Sequence, residues 1–299
     1  MTAPSSPLSA LSVHGDRHFD GLADKFAASL YGGIRGELRL ALLDRLLPEM
    51  LDLRSQPLLD VGGGLGQLAA WFAGRGHPVT LAEPSAEMLE RAREALLGIS
   101  AGREVSFIPA TLQALPERAP GPWSLVACHA VLEWLGDPRA ALAILAGLLA
   151  PGGQLSLMVF NRDALRFSNV VKGNLEKALD DRLEGKGLRR RLTPISPLTH
   201  AQIMAWSAEL GLEVRGVAGL RVFHDYLRSP PPSDVERERL FELEWRYCRV
   251  DPHWRLGRYL LYTLVRPDAP VPSASLPDSS SAFSPATSPT SLQHQEPLP

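Results

Sequence analysis

The sequence predicts a doubly wound α/β domain: a seven-stranded, mostly parallel sheet with helices on both faces. Three observations predict it. Short apolar runs alternate with segments of helical period through the middle of the chain. The first of those runs opens directly into a string of glycines. The chain has 299 residues with 45% hydrophobic content, enough to bury one sizeable core with tails or an appended piece to spare.

The elements follow in order. Pro57–Val61 is a short apolar run closed by glycines, and Leu65–Arg75 then reads as a helix. Pro78–Ala82 is a second strand. Ser85 is expected to N-cap a helix that puts Met88, Leu89, Ala92 and Leu96 on one face. Val105–Ile108 and Trp123–Cys128 are the third and fourth strands, Pro138–Leu149 is a helix, and Gln154–Phe160 is the fifth strand. The alternation then breaks. Residues 162–198 read as partly helical, Arg-rich and punctuated by Pro194 and Pro197, and are expected to form an insertion after the fifth strand. A helix at about Thr199–Leu210, a strand at Leu212–Phe223, an acidic and aromatic helix at Ser233–Cys248 and a last strand at Arg258–Arg266 complete the domain.

Composition bounds the partners. Charged residues are 21% of the chain and the net charge is -2, so any nucleic-acid contact must come from a local patch. The two cysteines, Cys128 and Cys248, are far apart and outside any CxxC pair; neither a disulfide scaffold nor a metal site is expected. Such cysteine usage fits a reducing cytoplasm. The N-terminus lacks the basic start and apolar run of a secretory signal. The longest apolar stretch, Ala140–Ala150, is too short to span a bilayer. Residues 1–15 and 267–299 are rich in Pro and Ser and are expected to be disordered tails, leaving 16–266 as the folded domain.

The strongest signal is Asp60-Val61-Gly62-Gly63-Gly64-Leu65-Gly66, a strand running through glycines toward a helix. Glycines permit positive φ and let a ligand lie against bare backbone. Doubly wound folds bind nucleotides at this carboxyl end of the first strand. Gly64-x-Gly66-x-x-Ala69 formally matches a dinucleotide fingerprint, a weak match by itself. Glu83 ends the second strand about 20 residues on, where a carboxylate can accept ribose hydroxyls; its bland reading is a solvated strand end.

The spacing of Gly62, Gly64 and Gly66 behind Asp60 resembles the D-x-G-x-G-x-G loop of class I methyltransferases, Rossmann-like enzymes in which it wraps the methionine part of S-adenosylmethionine. Ala110-Thr111-Leu112-Gln113 and Ala150-Pro151-Gly152-Gly153 stand where those enzymes place adenine contacts and an L-x-P-G-G turn. More specifically, Phe19–Arg39, Cys128–Trp134 (CHAVLEW), Leu155–Asn161, Arg221–Arg228 (RVFHDYLR) and Leu243–Arg249 resemble the tRNA 5-carboxymethoxyuridine methyltransferases, over roughly residues 17 to 266. The resemblance implies methylation of the carboxylate of 5-carboxymethoxyuridine at the wobble position of tRNA. It also implies cofactor contacts at Arg39, Gly62, Gly63, Glu83, Leu112, Gln113 and His129. Without it, Arg39 reads as a solvated helical arginine and His129 as evenly structural or functional.

A carboxylate acceptor is already ionised at neutral pH and needs no general base, so no catalytic dyad is expected. Its desolvation needs donors, for which Arg221, His224 and Tyr31 are the candidates; an interstrand salt bridge is the competing role for Arg221. Trp134 and Tyr226 are candidates to stack on the uracil ring, with packing over the sheet edge the competing role for Trp134. The insertion holds nine basic and five acidic side chains, and its Arg189, Arg190 and Arg191 run is the candidate tRNA-backbone contact, against the ordinary reading of a solvated basic loop. Three other readings stand beside this one: a methyltransferase for a small carboxylate or phenolate, a nicotinamide-dependent oxidoreductase, and a cofactor-holding module without turnover.

Overall fold

The computed structural model describes residues 15–16, 32–54, 56–97, 104–185 and 194–268. Most of the expected N-terminal tail, the C-terminal tail from 269 onward, Tyr31 and the Arg189–Arg191 run lie outside the described residues.

Seven strands form one sheet in the order β3-β2-β1-β4-β5-β7-β6. They are β1 Leu58–Val61, β2 Val79–Ala82, β3 Val105–Ile108, β4 Trp123–His129, β5 Leu149–Phe160, β6 Glu213–Leu220 and β7 Tyr259–Val265. β7 runs antiparallel to both β5 and β6, and the ladders from β3 to β5 are parallel. The expected fold class is therefore present, with one reversed strand.

The helices are α1 Gly33–Met50, α2 Gln67–Gly74, α3 Ala86–Leu97, α4 Leu115–Arg118, α5 Pro138–Leu148, α6 Arg162–Val171, α7 Leu175–Leu179, α8 His200–Glu209 and α9 Asp234–Tyr247. Successive strand side chains point to opposite faces, so the central strands feed two cores. Leu58, Leu125, Ala127 and Met158 pack with α1, α2 and α3; Leu59, Val126, Cys128, Leu155 and Leu157 pack with α5 and α8. This two-sided burial explains why the strands read as continuous apolar runs rather than alternating ones. α1 buries Leu38, Leu42, Leu43, Leu46 and Leu47 at helical spacing.

Caps mark several expected boundaries. Ser85 Oγ accepts from Met88 N (3.4 Å), Asp137 accepts from Ala140 N, and Ser233 accepts from Glu236 N. Thr199 and Gln202 form a reciprocal capping box at α8.

Three boundaries differ from the sequence reading by two residues or more. α2 starts at Gln67, not Leu65, because the glycine loop uses Leu65 and Gly66 before the helix begins. β5 starts at Leu149 and runs through the Pro-Gly-Gly turn. β6 ends at Leu220 rather than Phe223, because Arg221 takes φ 58° and breaks the ladder.

Candidate active site

At the sheet's carboxyl edge, β1 lies between β2 and β4, where the chain's direction of winding reverses and a crevice opens. Gly62 and Gly63 both donate to Ala82 O (2.8 and 3.2 Å), fastening the loop to the end of β2. Gly62 has φ 64°, and a Cβ there would lie 2.5 Å from Val131 Cγ2. A Cβ on Gly63 would lie 2.5 Å from Leu81 Cγ and 2.9 Å from Asp60 Oδ2. Only glycine lets the backbone settle this closely.

Glu83 is buried, and its Oε2 and Oε1 accept from Gly64 N and Ser85 N, both at 3.0 Å. It braces the glycine loop, and each carboxylate oxygen retains further acceptor capacity for a hydroxyl. Leu112 is buried behind β3, and Gln113 Nε2 donates to Asp16 Oδ2 (2.6 Å). Asp16 Oδ1 in turn accepts from Gly136 N (2.9 Å).

Arg39 is not a solvated helical arginine: it is buried, with its guanidinium 5.8 Å from the Tyr259 ring centroid. His129 ends β4 with Nε2 2.8 Å from Ser156 Oγ. Burial, then the charge of Arg39, pushes its pKa down to about 3, so the ring is neutral. Arg39, Gly62 and His129 line both compartments of the cleft. One is a 560 Å³ cavity that also meets Asp60, Gly63 and Trp71; the other meets Glu83, Leu112, Gln113 and Trp134. All seven residues expected to contact a cofactor thus line one cleft.

Beneath the loop, burial and then the charge of Glu83 raise the Asp60 carboxyl to about 7. Glu133, in the CHAVLEW segment, is also buried, and burial raises its carboxyl to about 8. Sequence reasoning passed over Glu133 in favour of its neighbour Trp134.

A second cavity of 620 Å³ adjoins the cleft; Ala130 and Trp134 line both. Its lining contains five cations, Arg35, Lys172, Arg221, Arg228 and Arg258, and one carboxylate, Asp225. Of the acceptor candidates, Arg221 and His224 meet here. Arg221 Nε pairs with Asp225 Oδ2 at 2.9 Å, and Arg258 Nη2 approaches Asp225 Oδ1 at 3.4 Å. Burial alone would raise the Asp225 carboxyl, but Arg221 and Arg258 outweigh it and hold the pKa below its ordinary value. His224 Nδ1 is buried and has no hydrogen-bond partner among the described residues. Tyr226 is not part of the lining: its hydroxyl donates to Leu256 O (2.7 Å), and its ring sits edge-on to Phe167.

Two buried side chains that the sequence reading missed shape this cavity. Glu244 accepts from the backbone N–H groups of Val222 (2.6 Å), Phe223 (3.0 Å) and His224 (2.7 Å) and so builds the turn after β6. Asn161 donates to Arg255 O and Gly257 O, both at 2.8 Å, and sets Arg258 at the mouth of β7. Asn161 is also the local N-cap of α6, accepting from Asp163 N (3.0 Å), but its donor side, like Glu244, acts on chain 20 or more residues away, which no local pattern reveals.

In the described part of the insertion the arginines are matched by carboxylates. Arg162 and Arg166 both pair with Asp181 at 2.8 Å, Arg162 also pairs with Glu184, and Arg182 pairs with Asp180. Lys172 is the described basic residue of the insertion that lines the cavity.

Comparison with known proteins accords with this geometry. Residues 32–217 match the family model described as a methyltransferase domain. The chain is 41% identical over 258 residues to the tRNA 5-carboxymethoxyuridine methyltransferase of Escherichia coli (strain K12), covering 85% of this chain and 98% of that protein. This chain belongs to that family. The ubiquinone biosynthesis O-methyltransferase of Xylella fastidiosa (strain 9a5c) is 34% identical over 205 residues, covering 66% of this chain and 80% of that one. The magnesium protoporphyrin IX methyltransferase of Synechocystis PCC 6803, solved with bound SAH, shares the fold at TM-score 0.56 and 18% identity, covering 83% and 96% of the two chains.

Proposed function

We propose that this enzyme transfers the methyl group of S-adenosylmethionine to the carboxylate of 5-carboxymethoxyuridine at the wobble position of tRNA, giving the methyl ester. The observation that carries the proposal is the cationic cavity that opens at Ala130 and Trp134 onto the glycine-lined cleft. A small anion held there faces the cleft across the end of β4.

The residues of the cleft fit the cofactor. Gly62 and Gly63 leave the bare backbone that a close-lying ligand needs. Glu83 would take ribose hydroxyls, Leu112 and Gln113 the adenine, and Arg39 the methionine carboxylate. When bound, S-adenosylmethionine supplies a methyl group on a sulfonium centre. His129, neutral and 2.8 Å from Ser156 Oγ, would add no positive charge to the cleft that holds the cationic cofactor.

The acceptor carboxylate is ionised at neutral pH and gives up no proton as its oxygen bonds to the methyl carbon and the carbon–sulfur bond breaks. The chain's task is therefore positioning and desolvation. The Arg221–Asp225–Arg258 cluster carries one net positive charge in a buried setting, a match for one carboxylate. Trp134, between cleft and cavity, is placed to border the base.

The relative at 41% identity favours this reading over the small-molecule alternative. The glycine loop joined to a cationic acceptor cavity leaves the oxidoreductase reading without support. Among the described residues no helix is long and apolar enough to cross a membrane. The test is to supply labelled S-adenosylmethionine with tRNA that carries or lacks the carboxymethoxy group. Label confined to the modified tRNA and released by mild base is expected. Equal labelling of both, or of neither, removes the reading.

A further inference from the structure

The cavity's cations fall into two tiers. Arg221 and Arg258 are buried and share Asp225. Arg35, Lys172 and Arg228 are exposed, and no ion pair joins any of them to a carboxylate among the described residues. They come from three separate elements: the start of α1, the residue just after α6, and the segment after the β6 turn. Burial, then repulsion from Arg258, lowers the pKa of Lys172; Asp225 opposes that shift and Arg35 adds to it, so the net field at this lysine is cationic.

Charge matching shows the surplus. The deep cluster has one positive charge in excess, and the charge of Glu244 is already met by three backbone amides. One acceptor carboxylate offsets the deep excess, and the uracil ring brings no further charge. Three rim cations remain unmatched by anything in the acceptor nucleoside.

We infer that Arg35, Lys172 and Arg228 form a phosphodiester-binding rim that grips the RNA backbone on either side of the acceptor nucleotide. The inference rests on the acceptor reading above and assigns to this rim a role that the basic run of the insertion suggested from sequence. Phosphodiesters fit because each carries one negative charge and two free oxygens that accept from guanidinium or ammonium donors. The rim thereby discriminates a nucleotide within a chain from a free nucleoside, while the deep cluster discriminates a carboxylate from an unmodified uridine.

The experiment uses an anticodon stem-loop bearing 5-carboxymethoxyuridine, and the same stem-loop with neutral methylphosphonate linkages on both sides of that nucleotide. Lys172→Ala, Arg228→Ala and Arg35→Ala are each expected to raise KM for the ordinary stem-loop by about tenfold. Each should also reduce the salt dependence of binding by about 0.7 in the log–log slope. S-Adenosylhomocysteine affinity should stay at the wild-type value, because none of the three lines the cofactor cleft. The methylphosphonate stem-loop should cost the wild-type enzyme a comparable loss, and the rim substitutions should add nothing further to it. Rim variants with wild-type KM and salt slope overturn the inference. So do losses from substitution and methylphosphonate that multiply independently, or a methylphosphonate substrate as good as the ordinary one. Failure of the wild-type enzyme to methylate the ordinary modified stem-loop and the modified tRNA alike sinks the acceptor reading itself, and is seen before any variant is made.

Discussion

Glu244→Gln isolates the contact that shapes the acceptor cavity. The side chain is completely buried, and its two oxygens take three backbone N–H groups at 2.6–3.0 Å. Glutamine keeps the volume. With its oxygen placed toward Phe223 and His224, its amide NH₂ faces the Val222 N–H, donor against donor. One charge-assisted hydrogen bond is lost, about 1.5–3 kcal/mol, and the two survivors weaken to neutral ones. Flipping the amide loses two bonds instead of one, so it offers no escape. The sum is about 3 kcal/mol of stability, read as the change in urea-unfolding free energy. Because the loosened turn carries Arg221, His224 and Asp225, KM for modified tRNA should rise about tenfold. The affinity for S-adenosylhomocysteine, set on the far side of Trp134, should change less than about twofold. A Gln variant within about 0.5 kcal/mol of wild type would refute the reasoning, since it would mean that the three amides do not depend on a carboxylate.

Three further expectations follow from the cleft. Gly63→Ala puts a methyl group 2.5 Å from Leu81 Cγ, an overpacking cost of about 1–3 kcal/mol that should come with loss of S-adenosylhomocysteine binding by calorimetry; an alanine variant that binds normally would show that the cradle can give. His129 is held near 3 in the folded protein against 6.5 in the unfolded chain, so only the unfolded chain gains this proton between those values; stability should fall as pH drops from 6.5 toward 3, by at most about 5 kcal/mol from this group, and His129→Asn should remove that slope from urea titrations at pH 7 and pH 4.5. Glu133 has the opposite sign: raised to about 8 from 4.5, it costs stability as pH climbs through that window, so the stability of Glu133→Gln relative to wild type should grow from pH 4.5 to pH 8, and a pH-independent difference would contradict a buried neutral acid at this position.

How much of the site was legible beforehand depends on the range over which each residue acts. Gly62, Gly63 and Glu83 stand at the ends of consecutive strands, and their roles follow from neighbours within about 20 residues along the chain. Arg39 was legible by resemblance alone, because from its own helix it reads as a solvent-facing arginine, yet the fold buries it beneath Tyr259. The insertion misled through composition: its described arginines, Arg162, Arg166 and Arg182, are matched by Asp181, Glu184 and Asp180, which a count of charges along the segment does not reveal. The end of β6 misled through pattern, since Arg221-Val222-Phe223 continues the apolar alternation, whereas Arg221 turns the backbone to φ 58° and Glu244 takes the amides of Val222 and Phe223 that a ladder would use.

Local periodicity and glycine placement, which act through backbone sterics and the burial of one or both faces of an element, determined from sequence that this is a doubly wound sheet with a nucleoside cleft at β1 and β2. Tertiary structure alone decided which charges meet. Asp225 joins Arg221 to Arg258, Asn161 pins the start of β7, and Lys172 rather than its neighbours reaches the cavity. Each of these choices depends on where distant segments cross once the core has formed, and Coulomb attraction between side chains, unlike backbone period, leaves no mark on the order of residues along the chain.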